Sequence, residues 1–190
     1  MRDFSNSSDE DLVALFKNGD EQAFDELYIR YSSRLVKVIY YYVGDVDSAE
    51  DVLHEAFMRV IRHLDTYKSD RAFSSWIFQI AINCSKNHIK KSKRKDELFE
   101  RITFNLPEGG GEAHSPEEDL IGSIEVEAFN RAVEKLKPKF REVMLLRAGE
   151  SMKYSDIAAV LGCSERTAKW RMKKATELVI QDLKEEKLIQ

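Results

Sequence analysis

The stretch from Tyr67 to Arg94 carries aromatic side chains at its start, cations at its end and two amides between them. Aromatic rings stack on unpaired bases with about 1–3 kcal/mol per base, while Lys and Arg follow the phosphate backbone. Asn83 and Asn87 are four residues apart, which places both amides on one helix face, where they can hydrogen-bond a base edge. This combination suits a melted nucleic-acid strand better than an intact duplex.

Burial is the alternative for most of the apolar side chains in this stretch. Phe73, Trp76 and Ile80 recur at helical spacing, so we expect them in a hydrophobic core. The same expectation covers most of the neighbouring apolar residues, which include Phe78 and Ile82. Tyr67, in the loop ahead of the helix, is the aromatic that we most readily assign to a base.

A second group of residues, Tyr154 to Arg171, has the pattern of a helix-turn-helix. Ser155 and Ser164 are each placed to cap a helix, and Gly162 lies in the turn, where a positive φ is needed. Two small residues, Ala158 and Ala168, allow the helices to cross closely. The second helix then directs polar and basic side chains outward, namely Arg166, Thr167, Lys169, Arg171, Lys173 and Lys174. A recognition helix uses such residues on base edges and phosphates, although an ordinary helical hairpin with a solvated basic face has the same outline.

The charge of the chain is distributed unevenly. The 190 residues include 30 Lys and Arg against 34 Asp and Glu, a net charge of −4 that by itself argues against a nucleic-acid partner. Yet residues 86–95 hold six cations and no acid, and residues 164–174 hold five cations and one acid. These two tracts can present basic surfaces to phosphate although the chain is acidic overall.

Several classes of protein are excluded by the composition. The start is polar and acidic, unlike a secretory signal, and the most apolar stretch is far shorter than the roughly 20 residues of a membrane helix. The two cysteines and four histidines have no ligand spacing, so we expect no metal and no cofactor. The chain is predicted to be cytoplasmic and to insert in no membrane.

Apolar spacing of three and four residues, without strict alternation, predicts an all-α fold. We place helices near 8–17, 21–43, 47–64 and 73–92. Residues 96–122 contain Gly109-Gly110-Gly111, two prolines and many acids, which predicts a flexible acidic linker. The prediction is therefore two small helical domains, 1–95 and 123–190, joined by the linker 96–122.

The order of these motifs resembles the bacterial RNA polymerase sigma factors of the extracytoplasmic-function (ECF) group. The resemblance is carried by DSAEDVLHEAFMRVIRHLDTYKSDRAFSSWIFQIAINCSKNHIKKSKR, then the acidic linker, then LKPKFREVMLLRAGESMKYSDIAAVLGCSERTAKWRMKKA. It covers nearly the whole chain and implies that 1–95 is sigma region 2 and 123–190 is sigma region 4.

The resemblance also implies roles for individual residues at the promoter. The −10 element would be melted and bound by region 2, through Tyr67, Asn83, Lys86, Asn87, His88, Lys90, Lys91 and Arg94. The −35 element would be read in the major groove by region 4, through Ser164, Arg166, Thr167, Lys169, Arg171, Lys173 and Lys174. Trp170 replaces a usual small polar residue of the family, so the promoter sequence cannot be transferred from relatives.

Core RNA polymerase is the implied protein partner. Its clamp coiled coil would contact the helix that carries Glu50, Asp51, His54, Glu55 and Arg59, where His54 replaces a usual Gln. Phe140, Val143 and Leu146 fit either the face that meets the polymerase flap or an internal core. The acidic linker is either a mimic of RNA in the polymerase or a solvated tether. Control by an anti-sigma factor is expected by family analogy.

The function implied is that of a non-catalytic transcription initiation factor. The main alternative is a stand-alone helix-turn-helix regulator, which has no need for the aromatic and cationic tract 67–94. An enzyme acting on nucleic acid is the third possibility, and we find no metal-binding carboxylate cluster, nucleophile motif or phosphate loop for it.

Overall fold

The structure is a computed structural model that describes residues 4–100 and 128–186, without the side chains of 93–100. In these two ranges the chain is helical and forms no strand, which confirms the all-α prediction. The helices are α1 (Asp9–Lys17), α2 (Glu21–Val43), α3 (Val46–His63), α4 (Phe73–Glu100), α5 (128–134), α6 (Pro138–Met144), α7 (Tyr154–Leu161) and α8 (Glu165–Glu185). A short 3₁₀ turn, Leu64–Thr66, follows α3, and a π-helical turn, Leu145–Gly149, continues α6.

Local capping explains where the first helices begin and end. Ser8 accepts a hydrogen bond from Asp11 N at 3.1 Å, and Asp11 accepts one from Ser8 N at 3.2 Å, which is a capping box. Gly44 ends α2 in the left-handed conformation, and Asp45 then caps α3. These bounds lie within one residue of the four predicted starts and of the first three predicted ends.

The end of α4 was predicted wrongly. The helix continues to Glu100, eight residues beyond the predicted end at 92 and past the domain boundary set at 95. Lys, Arg and Glu are all good helix formers, and no Gly or Pro interrupts the chain there. The change from basic to acidic residues therefore does not end the helix.

The N-terminal module packs α1, α3 and α4 around α2. Its fully buried side chains include Leu27, Leu35 and Ile39 of α2 and Ile77, Phe78 and Ile82 of α4. Tyr31 of α2 contacts the rings of Phe73 and Phe78 edge-on, with centroids 5.6 and 6.4 Å apart. Its hydroxyl donates to the Asp9 carboxylate, so the buried ring has a satisfied polar end.

The C-terminal module contains the predicted helix-turn-helix. Gly162 has φ +61° between α7 and α8, and Cys163 N donates to the carbonyl of Ala158 at 3.0 Å. Ser164 caps α8 as predicted, accepting from Thr167 N at 3.1 Å. Ser155 does not cap α7, because the helix begins one residue earlier, at Tyr154, with Lys153 at the cap position.

The two modules pack against each other. Helix α7 lies on α4, and one hydrophobic cluster runs from the N-terminal module to Ile157 and Val160 of α7. Gln79 Nε2 of α4 donates to the carbonyl oxygen of Ala159 at 3.4 Å. Helix α4 therefore serves as the surface on which the C-terminal module docks.

Two ion pairs cross the junction between the modules. Lys86 Nζ of α4 lies 3.0 Å from Glu142 Oε1, and Arg34 Nε of α2 lies 2.6 Å from Glu150 Oε2. The two carboxylate side chains are only 8% and 7% exposed. A buried carboxylate is costly without a partner, so each of these acids depends on a cation from the other module.

Gly162→Ala should lower the free energy of unfolding by about 1 kcal/mol, because an L side chain is strained at a positive φ. Apart from the adjoining residues of the chain, no atom lies within 4 Å of the added methyl group, so the loss reports the backbone alone. Gly149→Ala is the matched control, since its added methyl group is equally free and its φ is not positive. Urea denaturation measures both variants, and an equal effect at the two glycines would contradict the explanation.

Lys86→Ala should loosen the docking of α7 on α4, because Glu142 would be left buried without its cation. Since Lys86 is half-exposed, we expect about 1 kcal/mol, seen as faster amide hydrogen exchange in α7. Adding Glu142→Gln removes the unpaired charge and should restore slow exchange. Lys90→Ala, one turn further along α4, is the control; unchanged exchange in Lys86→Ala would show that the ion pair does not hold the modules together.

Candidate nucleic-acid interface

The second half of α4 presents a polar and basic stripe to solvent. Asn83, Asn87, Lys90 and Lys91 are exposed and follow one another at helical spacing. The first half of the helix is buried, with Phe73, Trp76 and the following aliphatic residues in the core. Within the predicted strand-binding tract 67–94, the first half of α4 therefore anchors the helix in the core. The second half carries the residues that a strand could reach.

Tyr67 differs from the expectation that its ring is free for a base. It is 6% exposed, and its ring lies 5.1 Å from Trp76 and 5.6 Å from Phe73, between centroids. Its hydroxyl donates to the carbonyl oxygen of Arg71 at 2.8 Å, which closes the loop over the ring. The ring is buried because the loop folds back and satisfies the hydroxyl inside the module. A base can reach Tyr67 only after this loop opens.

Burial and the neighbouring Glu10 raise the pKa of Tyr67 to about 12, so the hydroxyl stays protonated at neutral pH and donates its hydrogen. The Glu10 carboxylate also accepts from Phe73 N at 3.2 Å, at the first turn of α4. A negative group at a helix N-terminus is stabilising. Helix α1 therefore fixes both the loop and the start of the helix that follows it.

The predicted −10 cations of α4 are not equally free. Lys86 is paired with Glu142 and lies 5.9 Å from the centre of the Tyr42 ring. His88 is half-buried, whereas Lys90 and Lys91 face solvent. Arg94 is in α4, but its side chain lies outside the described residues.

The beginning of α8 forms the second basic surface. Arg166, Lys169 and Lys173 are exposed, and Arg171 is half-buried. Lys169 Nζ lies 2.6 Å from Glu165, and Lys174 Nζ lies 3.1 Å from Glu177, both within the helix. Such exposed pairs within a helix are weak, so both lysines can exchange these partners for phosphate.

Ser164 and Thr167 have structural roles at the start of α8. The Ser164 hydroxyl caps the helix, and its oxygen lies 2.8 Å from the Thr167 hydroxyl oxygen. These bonds fix the first turn, from which Arg166 projects.

The face of α3 predicted to bind the polymerase is exposed where it carries Glu50, Asp51 and His54. Arg59 Nη2 lies 2.6 Å from Glu55 Oε1, so these two predicted contacts pair with each other. Sequence reasoning missed the exposed Met58 and Ile61, which extend the same face. Met58 and Ile61 follow His54 by four and seven residues, a helical spacing that could have indicated that they share its face.

The docked arrangement buries the residues of the C-terminal module that fit either a flap contact or a core. Phe140, Val143 and Leu146 are all buried, so in this arrangement they are core residues and present no free face to a polymerase flap. Sequence reasoning also missed the role of Glu142, because the partner of this acid is 56 residues away in the other module.

Trp170 is the other residue that sequence reasoning left without a role. It is exposed on α8 among the cations, although it is one of the largest apolar side chains in the module. Its position in the sequence could have indicated this exposure, because Ala168, Met172 and Ala175 already define the core side of the helix.

The described ranges contain no group of three or more His, Cys, Asp or Glu side chains arranged to hold a metal ion. No described helix is long and apolar enough to span a bilayer.

Comparison with known proteins matches two families to the two modules. Residues 27–95 match Sigma-70 region 2, and residues 127–177 match Sigma-70, region 4. The RNA polymerase sigma-H factor of Pseudomonas aeruginosa is 32% identical over 177 residues, covering 90% of this chain and 91% of the relative. The ECF RNA polymerase sigma-E factor of Escherichia coli is 30% identical over 179 residues, covering 90% and 92%.

Two solved structures share the fold. CnrH, solved in complex with the cytosolic domain of CnrY, has a TM-score of 0.67 at 22% identity, covering 91% of this chain and 95% of CnrH. The sigma factor RpoE of Bartonella quintana, solved with the anti-sigma factor NepR, has a TM-score of 0.63 at 23% identity, covering 85% and 96%.

These relatives match both modules and the segment between them, whereas a stand-alone helix-turn-helix regulator would share only the C-terminal module. One basic surface, on α4, lies in the module that matches region 2, and the other, on α8, lies in the module that matches region 4. The chain belongs to the extracytoplasmic-function group of RNA polymerase sigma factors.

Proposed function

We propose that this protein binds core RNA polymerase in the cytoplasm, directs it to promoters with −35 and −10 elements, and promotes opening of the −10 DNA without catalysis of its own. The observation that carries the proposal is the pair of exposed basic surfaces, on α4 and α8, in a chain matched over 90% of its length by sigma factors.

Helix α8 is suited to reading the −35 element in the major groove. A recognition helix places its first residues on base edges and later cations on phosphates. Arg166 and Lys169 occupy the first two turns, and Lys173 and Lys174 follow one turn later. We therefore assign the first pair to bases and the second pair to the backbone.

The exposed stripe of α4 is suited to a strand that has left the duplex. Extruding a base costs a few kcal/mol, which binding must offset. The amides of Asn83 and Asn87 can donate to and accept from the freed base edge, while Lys90 and Lys91 neutralise the backbone. Stacking on Tyr67 would add to this after the loop over its ring has opened.

Helix α3 is the surface that we assign to the polymerase clamp. Its exposed acids, Glu50 and Asp51, lie in the first half, and the apolar Met58 and Ile61 lie in the second half. An acidic and partly apolar face fits a basic protein helix and would repel DNA, so the module offers different faces to its two partners.

The docked arrangement conflicts with promoter binding. Lys86 cannot bind a phosphate while it is paired with Glu142. Helix α7 also covers part of α4, the helix that carries the exposed amides and lysines. We infer that the modules separate when the protein engages polymerase and promoter. The names of two neighbours, which describe complexes with CnrY and with the anti-sigma factor NepR, support a partner protein that holds this chain inactive.

Reconstitution with core polymerase and genome-wide run-off transcription tests the function. The proposal expects new transcripts that start downstream of one shared pair of elements and that require this chain. Promoter-specific binding by the chain alone, with no effect on polymerase, would support a stand-alone regulator instead.

Asn83→Ala should lower the yield of open complexes several-fold, because one amide hydrogen bond to a flipped base is worth about 1 kcal/mol. Permanganate reactivity of −10 thymines measures the opening, and binding to core polymerase should not change. Gln181→Ala, an exposed amide at the far end of α8, is the control. Wild-type opening by Asn83→Ala would remove this residue from the strand-binding surface.

Lys169→Ala should weaken initiation from promoters that depend on the −35 element and leave core-polymerase binding intact. Because Lys169 is assigned to a base edge, its loss should cost about 1–3 kcal/mol at the base pair that it contacts and should relax the specificity at that position. Lys184→Ala, an exposed cation near the end of the same helix, is the matched control. Equal effects of both lysines would argue against α8 as a recognition helix.

A further inference from the structure

Trp170 lies in the second turn of α8 with 55% of its surface exposed. Arg166 precedes it by four residues and Lys173 follows it by three, so both are its neighbours on the helix surface. Lys169 is adjacent in sequence and also exposed. A large aromatic side chain thus lies in the middle of the basic surface that we assign to DNA.

The indole is held in place from one side. The Trp170 ring centroid is 5.9 Å from that of Phe140, with 57° between the ring planes. Phe140 is itself buried in the cluster that contains Ala175 and Val179 of α8. The core does not need Trp170, because these smaller residues already form the contact between the helices. The ring therefore packs on Phe140 at one side and faces solvent at the other.

The surroundings of Trp170 favour DNA over a protein as its contact. An apolar protein partner would have to approach through Arg166, Lys169 and Lys173, and burying such cations without acids is costly. DNA supplies phosphates for these cations at the same time as it supplies base edges. In the major groove, the apolar group that base edges offer is the C5-methyl of thymine.

We infer that Trp170 packs against the methyl group of a thymine in the −35 element and is a specificity-determining residue of this protein. This inference rests on the proposed function, and in particular on α8 entering the major groove. Burying one methyl-sized group is worth about 0.8 kcal/mol, which is about a fourfold change in affinity.

The experiment uses holoenzyme reconstituted with core polymerase and a promoter found by run-off transcription. Each thymine of the −35 element is replaced in turn by deoxyuridine, which removes the methyl group and keeps the base pair. The wild-type holoenzyme should lose about fourfold in affinity at one position. Trp170→Ala should bind thymine and deoxyuridine equally at that position.

Ile180→Ala is the matched control, because Ile180 is exposed on the same helix about three turns further on. It should keep the wild-type response to deoxyuridine. The inference is overturned if no −35 thymine is methyl-sensitive in the wild type, if Trp170→Ala keeps the sensitivity, or if Trp170→Ala acts by weakening polymerase binding. Failure of the proposed function is distinct: the wild-type holoenzyme would then ignore every −35 mutation.

Discussion

The docking of the C-terminal module on α4 is the interaction on which the rest of the structure depends. One side of this helix fills the core of the N-terminal module, another carries α7, and the remaining stripe of amides and lysines faces solvent. The same helix is thus a core element, a docking surface and the candidate −10 surface. Because these uses share one helix, the position of the C-terminal module affects which of its residues a DNA strand can reach.

The acidic residues of the chain neutralise part of its basic surface in this arrangement. Several cations that could meet phosphate are paired with carboxylates of the chain, across the modules for Lys86 and within α8 for Lys169 and Lys174. The pairs within α8 are exposed and weak, so a polyanion can displace them easily. The pair of Lys86 with the buried Glu142 is different, since breaking it requires the carboxylate to become hydrated. In the proposed function polymerase and promoter together offset that cost, so we expect the chain alone to bind promoters weakly.

Local sequence signals predicted the elements well, and contacts between distant residues were beyond them. Gly162 and Ser164 act over three or four residues, so their positions in the sequence indicated the helix-turn-helix. Ser8 and Gly44 bound their helices over the same short range. The end of α4 was missed because a change of charge is not a helix stop. Tyr67 was given an exposed ring because its contacts with Trp76 and Arg71 O depend on how the loop folds back. The pairing of Glu142 with Lys86 joins two modules, and no periodicity in either segment indicates it.

The central claim is that the modules are docked in the free protein and separate on the promoter. Spin labels at Asp25→Cys of α2 and Lys184→Cys of α8, in a chain with Cys84→Ala and Cys163→Ala, report the distance between the modules by double electron–electron resonance. We predict one narrow distance distribution in the free protein and a distinctly longer distance in the holoenzyme–promoter complex. The same distance in both states, or a broad distribution in the free protein, would contradict this account.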